Sequence, residues 1–187
     1  MSRRSVCATS RATRNFPCGS PTYCRHMRAA PIIRRVWVRR ADAVGLERLA
    51  DSYYPVEVGG ILAGYVNEES AVVTEIVGPG PQAQHSHDSF LPDHDYQTNE
   101  MHRIFRASGG SAVYLGDWHT HPDGPVALSP LDIQTMRTIA GDHEAHCPNP
   151  LMLLLAREEG IWTMRAFCLV STQEVTFAAE AVPIHLF

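Results

Sequence analysis

Lysine is absent: all 16 basic residues of the 187 are arginine. A genome rich in G and C accounts for that bias, and composition by itself supports no more. Long apolar runs are absent too. The longest, Leu151–Ala156, is strand-sized, whereas a membrane-spanning helix needs about 20 apolar residues. Strong charge of either sign is missing. The formal net charge is −4, which excludes a surface built throughout for polyanions. Cysteine is sparse and unpatterned: Cys7, Cys18, Cys24, Cys147 and Cys168 are odd in number and irregular in spacing. They form neither a disulfide framework nor a CxxC zinc pattern. A reducing cytoplasm fits them best.

The length suits one domain with a full-sized core. Residues 1–30 differ from the rest, with Arg3, Arg4, Arg11, Arg14, Arg25, Arg28 and no acid. No apolar segment follows those charges, so they are not a secretory signal. An Arg-rich, acid-free leader would serve as a transit peptide in a eukaryote; equally, Met27 is an alternative start. The expectation is a disordered leader over 1–30 and one globular domain over 31–187.

From Ile32 the pattern becomes globular. Ile32–Val38 reads as a strand, and Ala41–Tyr54 as a helix ended by Pro55. Val58–Val66 and Ala71–Val77 read as strands joined by the polar turn Asn67–Ser70. Gly78–Pro92 reads as a long loop. Asp95–Ala107 reads as a helix with Met101, Ile104 and Phe105 on one face, stopped by Gly109-Gly110. Ala112–Trp118 reads as a strand running into a loop, and Ser129–Ala140 as a helix. Leu151–Ala156 and Ile161–Val170 read as a hairpin. Mixed elements with hairpin-length gaps predict an α+β, or mixed α/β, fold with a partly antiparallel sheet. Strand order does not follow from them.

Chemistry concentrates in Gly116-Asp-Trp-His-Thr-His-Pro122 and Ser129-Pro-Leu-Asp132. Side chains alternate faces in extended chain, so His119 and His121 point the same way. The loop Pro122–Leu128 is long enough to turn back and deliver Asp132 on the first turn of a helix. Two nitrogens and one oxygen leave a fourth position open, the mark of a catalytic zinc. Zinc-activated water needs a group to move its proton, and Glu57 is the candidate. It opens Glu57-Val-Gly-Gly-Ile-Leu-Ala-Gly64, whose small residues permit close backbone approach. Ser129 is placed to donate to the oxyanion.

Simpler readings stand beside these. An HxH pair alone is a weak metal signal. Ser129 as N-cap, Pro130 at N1 and Asp132 at N3 make a good helix start without a metal. Glu57 would serve equally to bond backbone amides. The loop Gly78–Pro92 is either the wall or flap of a substrate groove or an ordinary surface loop. His85, His87, Asp93 and His94 are too irregular for a second metal site, and His143, His146 and Cys147 lack a fourth ligand. Trp118 reads as core. The pairs Arg34-Arg35 and Arg39-Arg40 read as a solvated strand face.

The combination resembles the JAB/MPN/Mov34 (JAMM) metalloprotease family, whose pattern is an upstream Glu followed by HxHPx₆SxxD. Here it runs Glu57, His119-Thr120-His121-Pro122, six residues, then Ser129-Pro-Leu-Asp132, within a resemblance covering about residues 32–170. The context Glu57xxGly60xLeu62xGly64 matches the usual setting of the family's Glu. The resemblance implies a central, mostly antiparallel β-sheet flanked by helices. It implies one Zn²⁺ on His119, His121 and Asp132, with Glu57 as acid/base and Ser129 as stabiliser of the tetrahedral intermediate. The short length looks like the bacterial stand-alone members, some encoded beside E1- and E2-like proteins in anti-phage operons. Those members imply a ubiquitin-like protein conjugate as substrate, cut at the modifier's C-terminus by zinc-bound water; the short apolar runs exclude a membrane partner, and a nucleic-acid partner is not expected. Two alternatives remain: a non-catalytic partner-binding module on the same fold, and a RadC-like, DNA-associated protein. Inactive members usually lose a ligand. The RadC-like group usually has an N-terminal helix-hairpin-helix region, for which residues 1–40 show no pattern.

Overall fold

The computed structural model describes residues 32–171 and 177–187; the expected leader lies outside them. Among the described residues ten strands and three helices follow one another: β1 Arg35–Val38, α1 Arg40–Tyr53, β2 Gly59–Asn67, β3 Ser70–Val77, β4 Gln84–His85, β5 Phe90–Leu91, α2 His94–Ala107, β6 Val113–His121, α3 Pro130–Gly141, β7 Leu151–Glu158, β8 Ile161–Ser171, β9 Phe177–Val182 and β10 Ile184–Leu186. Eight strands form one sheet in the order β10-β1-β3-β2-β6-β7-β8-β9, while β4 and β5 pair separately. The main sheet is mostly antiparallel; β1 is parallel to both β10 and β3, and β6 to β7. The fold is α+β.

The elements form for local reasons. The β2–β3 hairpin turns through two residues, with Glu68 at φ 54° and Asn67 opposite Ser70. Asp93 caps α2 by accepting from the Tyr96 N–H at 3.0 Å. Parallel neighbours need a crossover, and the link between β6 and β7 contains α3.

Helices cover the two faces. Ala43, Leu46 and Ala50 of α1 join Val36, Val38, Ala71 and Val73 in the largest apolar cluster. Met101 and Ile104 of α2 pack with Ile61, Ala63 and Val77. Met136 of α3 packs with Met152, Leu154 and Leu169. Strand β7 is buried on both sides: Leu151, Leu153 and Leu155 join the first cluster, and Met152 and Leu154 the last. A strand covered on both faces loses the polar–apolar alternation, so its sequence is a continuous apolar run.

The structure departs from the sequence reading at three places. The strand after Ala112 does not stop at Trp118; β6 continues through His121, because it pairs with β2 on one side and β7 on the other. The loop 78–92 carries the small β4–β5 hairpin. The C-terminal segment, unassigned from sequence, supplies the two edge strands β9 and β10.

Candidate metal centre and active site

A break in β6 decides which way the histidines face. Leu62 of β2 opposes Gly116, while Ala63 opposes Tyr114, so Leu115 is an extra, bulged residue. Gly116 has φ 141°, and a Cβ there would collide with the Leu151 backbone. The bulge shifts the alternation by one residue. Tyr114 and Asp117 thereby share a face, their side chains 2.6 Å apart. His119 and His121 follow on that face; Trp118 and Thr120 point to the other.

His119 Nε2 and His121 Nε2 stand 3.0 Å apart. Asp132 reaches in from α3, with Oδ1 3.3 Å from His119 Nε2 and Oδ2 3.5 Å from His121 Nε2. Among the described residues these three are the one group of His, Cys, Asp or Glu whose donor atoms converge in this way, all within 4.8 Å of one another. The outer nitrogens are held as well. His121 Nδ1 lies 3.3 Å from the Pro125 carbonyl and His119 Nδ1 3.2 Å from Met152 Sδ. A carbonyl only accepts, so the neutral His121 ring carries its hydrogen on Nδ1 and leaves the Nε2 lone pair free for a metal. Bonds of about 2.0–2.1 Å to a tetrahedral ion would place donor atoms about 3.3 Å apart, so the donor set fits such an ion.

Asp132 also belongs to a helix cap. Ser129 Oγ accepts from the Asp132 N–H at 3.2 Å, and the Ser129 N–H donates to Asp132 Oδ2 at 2.6 Å. The helix start and the metal reading are therefore not rivals. The reciprocal cap fixes the carboxylate rotamer and leaves its oxygens facing the imidazoles.

Electrostatics follow from this packing. Burial pushes the Asp132 carboxyl up, but hydrogen bonds to His119 and His121 outweigh it and hold the group well below the usual carboxylate range. Burial pushes His121 down, but its bonds to Asp132 and the Pro125 carbonyl prevail and raise it. Glu57 is raised, mainly by burial, against the opposing pull of His119 and His121. A partly buried carboxyl raised above its ordinary range is a candidate proton carrier.

Glu57 reaches the site through a pairing between residues 62 apart in sequence. The Val58 N–H donates to Thr120 Oγ1 at 3.0 Å, and the Thr120 N–H donates to the Val58 carbonyl at 2.9 Å. Thr120 is fully buried between the two histidines, on the opposite face. Next along, a Cβ on Gly59 would stand 2.6 Å from the Trp118 carbonyl, and a Cβ on Gly60 would collide with the Val77 carbonyl. Glycine there lets β2 pack against its neighbours. Thr120→Val should destabilise the protein by about 1–3 kcal/mol, because a buried N–H loses its acceptor. Urea unfolding measures it, and an unchanged midpoint would sink the assignment.

A cavity of about 340 Å³ lies over the triad, lined by Glu57, Ser129, His119, His121 and Asp132 together. Its other walls include residues 88–92, His94 and Gln97 of α2, and α3 from Leu131 to Ile139. Of segment 78–92, residues 88–92 line the cavity. Trp118 is core, 1% exposed, with Nε1 donating to the Val77 carbonyl at 2.9 Å. His85, His87, Asp93 and His94 do not converge: His85 holds the Glu57 carbonyl, His87 faces Asp123, and Asp93 caps α2. Thr120, Pro125 and Met152 had no place in the sequence reading, because their roles depend on partners distant in the chain.

The family described as prokaryotic homologs of the JAB domain matches residues 44–168. This chain belongs to the prokaryotic JAB family. A probable metalloprotease, y4qB, of Sinorhizobium fredii is 32% identical over 134 residues, covering 71% of this chain and 82% of that one. A CD-NTase/cGAS isopeptidase of Escherichia coli is 29% identical over 112 residues, covering 59% and 67%. A solution structure from Desulfitobacterium hafniense superposes with a TM-score of 0.60 at 18% identity, over 81% of this chain and 92% of that one, a likeness of fold. The chain is a JAB-family hydrolase, and its metalloprotease relative implies a metal ion. No helix among the described residues is long and apolar enough to cross a membrane.

Proposed function

We propose that this JAB-family member is a zinc-dependent isopeptidase or peptidase that removes or processes a ubiquitin-like modifier by hydrolysis at the modifier's C-terminus. The observation that carries the reading is the convergence of His119, His121 and Asp132 beneath a cavity that Glu57 and Ser129 also line. His119, His121 and Asp132 would hold one Zn²⁺. An ion held by these residues would supply Lewis acidity, making water a better nucleophile near neutral pH and polarising the scissile carbonyl. Glu57 takes the proton from the attacking water and delivers it to the leaving amine. The Ser129 hydroxyl accepts from the Asp132 N–H, which leaves its own hydrogen to donate to the oxyanion.

The isopeptidase name of the Escherichia coli relative supports a protein conjugate as substrate; a place in antiviral defence, with E1- and E2-like proteins encoded nearby, is part of the same proposal. An extended tail suits the cleft between residues 88–92 and α3, where short strand β5 lies at the wall. Arg34 pairs with Glu69 and Arg39 with Asp42, which weighs against a basic nucleic-acid face. Cys147 and Cys168 are both buried; a cytoplasmic setting is part of the same proposal and rests on the cysteine pattern of the sequence.

Elemental analysis of the purified protein beside His121→Ala tests the centre. About one zinc per chain, absent from the variant, is expected. Modifier–target fusions should then be cleaved by wild type and spared in the presence of a chelator. A protein that neither contains zinc nor takes it up would overturn the reading.

A further inference from the structure

We propose that Asp123 is a positioning residue that locks the strap of residues 84–91 and, through it, sets Glu57. The proposal rests on Glu57 being the base. Glu57 lies just before β2, outside its ladder, and both of its main-chain polar groups are held by the strap. Its N–H donates to the Ser86 carbonyl at 2.8 Å, and its carbonyl receives His85 Nδ1 at 2.7 Å. The His85 ring is itself fixed between Tyr53 and Phe90, with centroids 4.6 and 5.3 Å away. The strap is a tight hairpin, closed by the Ser86 N–H to the Ser89 carbonyl at 2.9 Å.

One further group ties this hairpin to the metal-bearing strand. His87 Nε2, at the strap's tip, stands 3.2 Å from Asp123 Oδ2. The other Asp123 oxygen, Oδ1, accepts from Tyr54 Oη at 3.2 Å. Tyr54, at the end of α1, is backed by the Arg157 guanidinium 4.2 Å above its ring. Asp123 follows His121 by two residues, Tyr54 precedes Glu57 by three, and His87 adjoins Asp88 of the cavity wall. The latch thus closes the rim from three elements and couples the strand that carries the histidines to the strap that holds the base. Each bond is exposed and weak singly. Their joint effect is on geometry, where a displacement of about 1 Å at a catalytic group can cost up to about 100-fold in rate.

Amide hydrogen exchange at Glu57, measured residue by residue, reads the latch without reference to activity. His87→Ala and Asp123→Ala should each speed exchange there by about 3–10-fold, the effect of one net hydrogen bond. Asp123→Asn, which keeps an acceptor, should restore slow exchange. In the cleavage assay kcat should fall in both alanine variants with KM little changed, and zinc content should stay at the wild-type level. Unchanged exchange in both alanine variants would overturn the latch. So would loss of zinc in Asp123→Ala with no effect in His87→Ala, since Asp123 would then support His121 alone. If wild type cleaves no conjugate, the functional reading fails while the exchange rates still decide the latch.

Discussion

Glu57→Gln should lower turnover by about 10²–10⁴-fold, the usual contribution of a positioned acid or base, while zinc content stays at the wild-type level. The side chain is not among the three converging donors, so its removal leaves the metal's ligands intact. The substitution is nearly isosteric and keeps the backbone bonds to Ser86 and His85. Stability supplies a second readout. Burial raises the Glu57 carboxyl, so ionising it costs the metal-free fold stability once pH exceeds the group's ordinary value of about 4.3. Glutamine has nothing to ionise. The metal-free variant should therefore be at least as stable as wild type at neutral pH, by thermal or urea unfolding. A variant that retains wild-type kcat would remove Glu57 from the mechanism; one that loses its zinc would make it a ligand.

Substitution of Asp132 should have the largest effect on the metal, and two variants separate its two duties. Asp132→Ala removes a ligand and half of the reciprocal cap with Ser129. Zinc affinity should fall by more than about 100-fold, since losing even an outer-shell partner costs about 10–100-fold. The lost cap should cost about 1 kcal/mol in the metal-free protein. Asp132→Asn keeps an oxygen for the Ser129 N–H but lacks the charge, so zinc should be lost with little change in metal-free stability. The wild-type pairing also carries a pH signature. The carboxyl is held below its ordinary range, so its contribution to folding is complete above about pH 3.9 and fades as pH falls further. Asp132→Ala should flatten that acid limb. Equal zinc affinity in wild type and both variants would dismiss the carboxylate as a ligand.

Both variants act on a site only partly legible in the sequence. Its local pieces were readable because each depends on a few neighbouring residues. Alternation along an extended strand put His119 and His121 on one face, and Ser129-Pro130-Leu131-Asp132 announced a capped helix. Other features depended on partners far away in the chain. By sequence Trp118 reads as the end of a strand because the following His-Thr-His-Pro looks like loop; pairing with β2 and β7 extends β6 through both histidines. Strand β7 showed no alternation because both its faces are buried. The edge strands β9 and β10 carry a weak apolar pattern and form by pairing with β8 and β1.

The sequence by itself determined the α+β class, the capped start of α3 and which residues are candidates for the chemistry, since periodicity and side-chain type are local properties. The tertiary structure alone decided their relation. The Leu115–Gly116 bulge sets which face the histidines share, and the β6–β7 crossover brings the capped Asp132 against them. Thr120 pairs with Val58 across a separation of 62 residues and carries Glu57 to the same cavity. The strap and its latch lie still further from local reading, because Tyr54, His87 and Asp123 become neighbours only when three separate elements meet. Such contacts depend on sheet register and loop closure, which no window along the chain contains.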